Sequence, residues 1–478
     1  MSYTPPQELV QGAFDDLITA ELTPIAQLVA DYSLEVCQAI TEEFNGGTAS
    51  IVDNNFDCST GSNTQGLASI ETKRYARYRA GQGVTALFTA LFSSPQPNSK
   101  LLAGLLATEN GLAVGYIGET FGFIRYYGGV QEAQKLTVTT PAGGAETATV
   151  TVDGTGYSVN LTSGTTAHNS IEIATQLSSA VPGYTFAANN SFVFALANTA
   201  AAAGAFAFSS SSAVAAWTQL NSGVAVTTSI VPIAEWNGED TSWIDPTKGN
   251  VFKISYPYLG YGDTLLYVKS PATGRFALAH RLHYTNLNTT TSMLSPTLRG
   301  GWYAENYGNT TPVWIRGGSC GIFIEGKAIH TGPRRGFVTE QLAVGTTLTN
   351  VLAIRSRSIF AGKTNRIELL PLILSASTSG SKGAFFEVFF NPTFATEPNF
   401  TFIDEATSIA EVATDAVGVT GVAIFGVVAG QLQPSILTLN EEDSELTIAP
   451  GDTICIAARV PSGAAADMYA SLTWQEDV

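Results

Sequence analysis

Between Gly249 and Asn286 the chain reads GNVFKISYPYLGYGDTLLYVKSPATGRFALAHRLHYTN, and no other stretch restricts the fold as tightly. Apolar and polar residues alternate from Val251 to Leu259, Thr264 to Lys269 supports a second strand, and alternation resumes at Arg275. A period of two sends successive side chains to opposite faces of a sheet. Phe276, Leu278, His280 and Leu282 therefore share one side, and Arg275, Ala277, Ala279 and Arg281 the other. Pro271 fixes φ and Gly274 is free to take φ > 0, which together signal a hairpin between the last two strands. The stretch predicts an antiparallel sheet with one buried face, the unit from which β-sandwiches are built.

A chain of 478 residues exceeds what one hydrophobic core organises and predicts roughly two to four domains. Charged residues make up only 13%, while Gly, Ser, Thr, Ala and aromatics abound, a mix that suits long sheets with tight turns and argues against disorder. The net charge of −17, with no basic run, repels polyanions, so nucleic acid is excluded as a partner. Cys37, Cys58, Cys320 and Cys455 are scattered without zinc-site spacing and are expected to be buried thiols. The opening MSYTPPQELVQGAFDD lacks the basic and apolar regions of a signal peptide. No apolar run approaches the roughly 20 residues of a membrane span, so synthesis in a cytoplasm without a membrane partner is expected.

Taken in order, the chain divides as follows. In residues 1–45, Leu17, Ile18, Leu22, Ile25, Leu28, Val29, Tyr32 and Val36 recur near helical spacing, interrupted by Pro24, and predict a short helical N-terminal arm. Residues 46–130 turn to β, through Lys73-Arg-Tyr-Ala-Arg-Tyr-Arg79, read as a solvated strand face, and a glycine-punctuated hairpin over Leu112–Gly129. Residues 131–228 change character: three short strands, an amphipathic helix over Thr165–Ala180 capped by Asn169 or a nearby Thr, and further strands make a small α+β insert. Since loop closure depends weakly on length, the insert is expected to be separable from its host. Strands resume over 229–330, 331–345 reads as a linker carrying Pro333-Arg-Arg335, and 346–478 as a second all-β sandwich or jelly roll closed by a hairpin at Pro450-Gly451.

The succession Arg74-Tyr-Ala-Arg-Tyr-Arg-Ala-Gly-Gln-Gly83, Phe121-Gly-Phe-Ile-Arg-Tyr-Tyr-Gly-Gly129, Trp236-Asn-Gly238, Asp245-Pro-Thr-Lys-Gly-Asn250, Leu259-Gly-Tyr-Gly262 and the Pro271–His280 hairpin resembles a family of structural proteins of tailed phages and other DNA viruses. The likeness spans roughly residues 50–330 and weakens through the C-terminal region. It implies a mainly β fold: a concanavalin A-like sandwich, of the lectin and glucanase kind, with a small module inserted in one loop. It also implies a multi-copy virion component of a tail, fibre, spike or capsid appendage, assembled as a homo-oligomer, with a trimer favoured. The N-terminal arm would then dock on other virion proteins. A particle assembled in the host cytoplasm and released by lysis accommodates a chain without a signal peptide.

Glu235, Glu239 and Asp240 cluster in AEWNGEDTSW, and the same sandwich class includes polysaccharide-degrading enzymes that use paired carboxylates. Asn237-Gly238 breaks the alternation that would aim both acids at one cleft, so no catalytic residues are assigned. Trp236, Glu239, Asp240 and Trp243 remain a candidate site for a host surface glycan, the alternative reading as a receptor-binding protein. His280 and His283 fall on opposite strand faces and cannot share a metal; His280 is expected to be a satisfied core residue. Asp245 and Asp263 fit turn caps better than calcium ligands, and no metal or other cofactor is expected.

Overall fold

The structure, a computed structural model, describes residues 22–35, 38–200, 204–379, 383–430, 435–438 and 446–477. The described residues fall into two compact units, drawn from Met1–Val130 and Ala225–Ile329 in the first and from Gln131–Val224 and His330–Val478 in the second.

The first unit is an antiparallel β-sandwich. Its nine-stranded sheet runs Phe276–Leu282, Thr264–Lys269, Asn250–Tyr256, Val84–Phe92, Trp314–Gly317, Asn55–Ser59 and Thr48–Val52, while Ser319–Glu325 joins Val84–Phe92 to Leu22–Val29. Its seven-stranded sheet runs Thr227–Pro232, Thr120–Tyr127, Gly111–Ile117, Ser99–Leu106, Arg299–Asn306, Leu67–Thr72 and Ala39–Phe44. Alternating residues from both sheets, among them Phe88, Phe252, Leu101, Phe123 and Trp302, form one core. Trp302 is fully buried, stacks on Phe56 at 5.0 Å and donates its indole N–H to the Thr89 carbonyl at 2.8 Å. Gly317 makes room for that indole, because a Cβ there would stand 2.2 Å from Nε1.

Two hairpins form as their turn residues predict. Gly118 (φ 57°) turns Gly111–Ile117 into Thr120–Tyr127, and Gly274 (φ 70°) turns Thr264–Lys269 into Phe276–Leu282. A register shift between Leu266 and Tyr267 buries both Ala279 and His280 in the last strand, which strict alternation would have separated.

The helical N-terminal arm is corrected over its described part. Leu22–Val29 is a strand antiparallel to Ser319–Glu325, and Ala39–Phe44 a strand paired with Leu67–Thr72; residues 1–21 and 36–37 lie outside the described residues. The segment carries both periods, for Ala26, Leu28 and Ala30 are buried in alternation. The backbone of Ser319–Glu325 supplies hydrogen-bond partners that a short helix broken at Pro24 cannot match. Leu22–Val29 and Ala39–Phe44 are thus strands of the sandwich rather than an arm docked elsewhere. The segment Lys73–Arg79 is likewise irregular, with a single bridge between Ala76 and Leu298, and Arg79 donates to the Ile329 carbonyl at 3.1 Å.

In the second unit, residues 331–345 are not a bare linker. Arg334–Val338 and Leu342–Val344 both pair with the long strand Ala466–Asp477, and Arg335 meets the buried Glu476 carboxylate at 3.1 Å. The C-terminal sandwich packs a five-stranded sheet, built on Ala466–Asp477 and Glu368–Ser379, against a six-stranded sheet ordered Thr401–Phe402, Ala410–Ala413, Thr349–Ser356, Thr453–Arg459, Ala384–Phe390 and Ala423–Ala429. The hairpin expected at Pro450-Gly451 is absent among the described residues, because Ile448 bridges to Leu369 instead.

The insert leaves and rejoins the first unit between the paired strands Thr120–Tyr127 and Thr227–Pro232. Its helix Thr166–Ala180 begins at Thr165, whose hydroxyl accepts the His168 N–H at 3.1 Å, and buries Ile173, Ala174 and Leu177. The insert also packs within the second unit. Phe192 and Phe194 lie 6.3 and 6.2 Å from the Phe402 ring, Ile359 joins Ala133, Phe194 and Leu196 in one buried cluster, and Lys135 pairs with Glu405 at 2.6 Å.

Gly317→Ala is expected to lower stability by about 1–3 kcal/mol through overpacking against Trp302. Gly144→Ala, where a Cβ would meet nothing within 4 Å, should leave the melting temperature unchanged. Differential scanning calorimetry reads both. Replacing residues 131–224 by a short Gly/Ser loop should preserve the transition of the first sandwich but lower that of the C-terminal one, which loses the cover over Ile359 and Phe402. Equal melting of the C-terminal sandwich with and without the insert would contradict this packing.

Candidate functional site

The loop from Ile233 to Ile244 follows strand Thr227–Pro232 and lies along the outermost strand of the nine-stranded sheet, Phe276–Leu282. That strand would otherwise leave its backbone groups unpaired. Gly238 N–H donates to the Ala279 carbonyl at 3.1 Å and Glu239 N–H to the Leu278 carbonyl at 2.7 Å. The Asn237 amide imitates a peptide, donating to the Arg281 carbonyl at 2.9 Å and accepting the Arg281 N–H at 2.8 Å. Glu239 Oε1 accepts the Leu278 N–H at 3.0 Å. The approach needs glycine at 238, since a Cβ there would stand 1.9 Å from the Leu278 carbonyl oxygen.

The four residues singled out by sequence are divided by this geometry. Trp236, Glu239 and Asp240 surround an open depression of about 490 Å³, and Trp243 lies outside its lining. Both indoles are half-buried against the core, with Trp236 Nε1–H donating to the Val231 carbonyl (3.0 Å) and Trp243 Nε1–H to the Asp240 carbonyl (2.8 Å). Asp240 accepts the Ser242 N–H at 2.9 Å, and hydrogen bonds from the Ser242 backbone and side chain hold its carboxyl below the usual range. The polar atoms of the loop are therefore turned largely onto the chain's own backbone, while Trp236 lines the depression.

His280, expected to be a satisfied core residue, is buried, and its Nδ1 accepts the Asn237 N–H at 3.4 Å, which places the proton on Nε2. That Nε2 has no hydrogen-bond partner among the described residues. Burial, and then the neighbouring His283, hold its pKa below the ordinary value. Asp245 caps its own turn as expected, whereas Asp263 instead holds the distant segment His283–Thr285. Asp245 accepts from the Thr247 hydroxyl (2.6 Å) and N–H (3.0 Å) and pairs with Lys248, which together lower its pKa to about 2. Burial works against ionisation of Asp263, yet the Tyr284 and Thr285 N–H groups and His283 hold its carboxyl low. Cys58, Cys320 and Cys455 are free and buried, burial pushing the Cys320 thiol up to about 12; Cys37 lies outside the described residues. Among the described residues no group of three His, Cys, Asp or Glu could hold a metal ion, and no helix is long and apolar enough to cross a membrane.

A second cavity, of about 360 Å³, was not foreseen from sequence; it lies in the second unit between the insert and the C-terminal sandwich. Arg355 dominates it, pairing with Glu411 at 2.7 Å and Glu397 at 3.2 Å, covering the Phe400 ring at 4.0 Å and donating to the Ala188 carbonyl of the insert at 2.9 Å. Its partners come from distant parts of the chain, so no local motif announces it. The guanidinium joins two parts of one unit and has little left to offer a ligand.

No protein-family model and no curated protein matches the sequence. Among solved structures, the chain aligns with the carbohydrate recognition domain of Emp47p at 10% identity and a TM-score of 0.26, covering 64% of this chain and 97% of that one. The lectin UEA-II complexed with galactose aligns at 8% identity and 0.24, covering 63% and 100%. Lectin II from Ulex europaeus aligns at 9% identity and 0.21, covering 62% and 99%. Similarity at this level carries no argument about function.

Gly238→Ala should detach the loop from strand Phe276–Leu282. The expected signs are faster hydrogen exchange at the Leu278 and Arg281 amides and altered Trp236 and Trp243 fluorescence, without global unfolding; unchanged exchange would show that the loop does not seal this edge. Asp245 supplies a pH test. Its folded pKa lies below the unfolded value of about 3.9, so its stabilisation is complete above about pH 4 and disappears as pH falls through about 2. Amide shifts of Thr247 should stay constant down to about pH 4 and then move.

Proposed function

We propose that this chain is a non-catalytic structural component of a virus particle, present in many copies as a homo-oligomer in a tail, fibre, spike or capsid-attached appendage and made in the host cytoplasm. The observation that carries the structural reading is the loop at Trp236: Asn237, Gly238 and Glu239 close a sheet edge, and Asp240 caps the turn that follows. Two of the three carboxylates that sequence offers for chemistry, Glu239 and Asp240, thus serve the fold. The viral assignment rests on the succession of motifs from Arg74 to His280 and their resemblance to virion structural proteins.

A second reading, recognition of a host glycan, is favoured by one observation. Trp236 presents a half-buried indole beside Glu239 and Asp240 at an open depression, the pairing of apolar face and hydrogen-bonding groups that a sugar ring requires.

Mass spectrometry of purified particles, with immunogold labelling of this chain, tests the first reading; its absence from particles of a host-virus system that expresses it would refute that reading. Glycan-array binding lost in Trp236→Ala would establish the second. In either case the purified protein is expected to release no reducing sugar from polysaccharide, and a release abolished by Glu239→Gln would overturn the non-catalytic assignment.

A further inference from the structure

We propose that His280 is a pH-sensitive latch for the loop segment 237–240, holding it on strand Phe276–Leu282 when neutral and releasing it when protonated. The latch depends on the geometry of the loop alone and belongs equally to either functional reading. Residues 233–244 and the strand they seal are all described, and the strand is the outermost of its sheet. The bonds made by the Gly238 and Glu239 N–H groups and by the Asn237 amide join groups that carry no titratable proton near neutral pH. The bond from the Asn237 N–H to His280 Nδ1 is of another kind, because its acceptor is a lone pair that a proton removes.

A charged imidazole has two N–H donors and no acceptor. Its new Nδ1–H would point at the Asn237 N–H. Its Nε2–H has no partner among the described residues, and the whole side chain is only 5% exposed. A buried charge without acceptors is costly, and peeling the loop away lets water reach the ring.

The surroundings do little to offset that charge. Phe123 of the opposite sheet presents its ring at 5.9 Å, and Leu266 is the partner on the neighbouring strand. Arg125, beyond Phe123, is turned onto the Ser292 carbonyl and the Tyr127 ring. On the loop, Glu239 accepts the Leu278 N–H and Asp240 the Ser242 N–H. The charged neighbour acting on the ring is His283, which disfavours a second cation; it pairs with Asp263 at 3.0 Å, whose carboxylate also lies 3.9 Å from Arg281.

A solvated imidazole takes its proton near pH 6.5, and burial and His283 hold the closed form lower. Closure therefore has its full strength above about pH 6.5 and weakens as the pH falls below it, by up to about tenfold in the opening equilibrium per pH unit. Trp236 and Trp243 stay packed on the core to either side, so the segment that lifts is short. Its release bares the Leu278 and Arg281 N–H groups.

Hydrogen exchange at those two amides, corrected for intrinsic rates and followed from about pH 7.5 to about 5, above the ordinary carboxylate range, tests the latch. Protection should fall in acid by up to about tenfold per unit, while amides of the central strand Val84–Phe92 stay protected. His280→Asn keeps an oxygen acceptor near the place of Nδ1 but cannot take the proton, so its protection should not vary with pH. His283→Gln should keep the dependence and move its midpoint to higher pH. Selective labelling of the four histidines reads the parent chain directly, whether or not the variants fold: the His280 ring resonance should titrate with the midpoint of the amide protection. Protection independent of pH, ring and amide midpoints that differ, or a dependence that survives His280→Asn overturns the latch. No glycan or particle enters these measurements, so their failure is distinct from failure of the proposed function.

Discussion

An antiparallel sheet satisfies its backbone everywhere except along its outermost strands, and much of this chain is organised by how those strands end. The nine-stranded sheet closes one side with Asn237–Glu239, where a side-chain amide and a carboxylate stand in for peptide groups against Leu278–Arg281. Elsewhere it recruits Leu22–Val29 onto Ser319–Glu325. In the C-terminal sandwich, Arg334–Val338 and Leu342–Val344 divide the length of Ala466–Asp477 between them. Each device gives exposed backbone groups polar partners, and the added strands also bury apolar residues such as Leu28 and Val344.

The same economy explains the chemistry of the acidic residues. Asp240, Asp245, Asp263 and Asp404 each accept backbone N–H groups within their own turns or from a neighbouring loop. A carboxylate held this way is kept ionised and oriented toward the chain. General acid catalysis requires the opposite environment, a carboxyl pushed upward by burial and aimed at open space. The excess of acid in this sequence is thus in part a supply of turn caps.

Local patterns were legible because they depend on neighbours in sequence. Alternation located many strands, Gly274 marked a turn, and the helix over Thr165–Ala180 was legible, although its cap is Thr165 and not Asn169, whose side chain accepts the Ala142 N–H instead. What could not be read depends on partners far along the chain. Ile25, Leu28, Val29 and Tyr32 satisfy a helical period, yet Ala26, Leu28 and Ala30 satisfy a strand period equally, and the backbone of Ser319–Glu325 resolves the tie. Pro333-Arg-Arg335 has the composition of a linker, and only the buried Glu476 explains why Arg335 belongs in a sheet. At the loop, Trp236, Glu239 and Asp240 were identifiable as a cluster; that Asn237 and Glu239 already had acceptors and donors on another strand was not, since hydrogen-bond partners leave no trace in composition.

The position of the insert imposes a final constraint, on how the two units can form. An insert between adjacent hairpin strands leaves its host able to close, and the pairing of Thr227–Pro232 with Thr120–Tyr127 does so across 131–224. The second unit is interrupted in turn, because 225–329 separates the insert from the C-terminal sandwich it packs with. Each unit is therefore discontinuous in sequence, and each must close a loop that contains part of the other. Closure over such lengths costs little more than closure over half of them, since the entropy grows only with the logarithm of loop length. The rate suffers more than the stability, because nonlocal pairing must precede the contacts that reward it. The burial of Phe194 with Ile359 and the reach of Arg355 to the Ala188 carbonyl join parts of the second unit that 225–329 separates in sequence, so they carry this loop-closure cost.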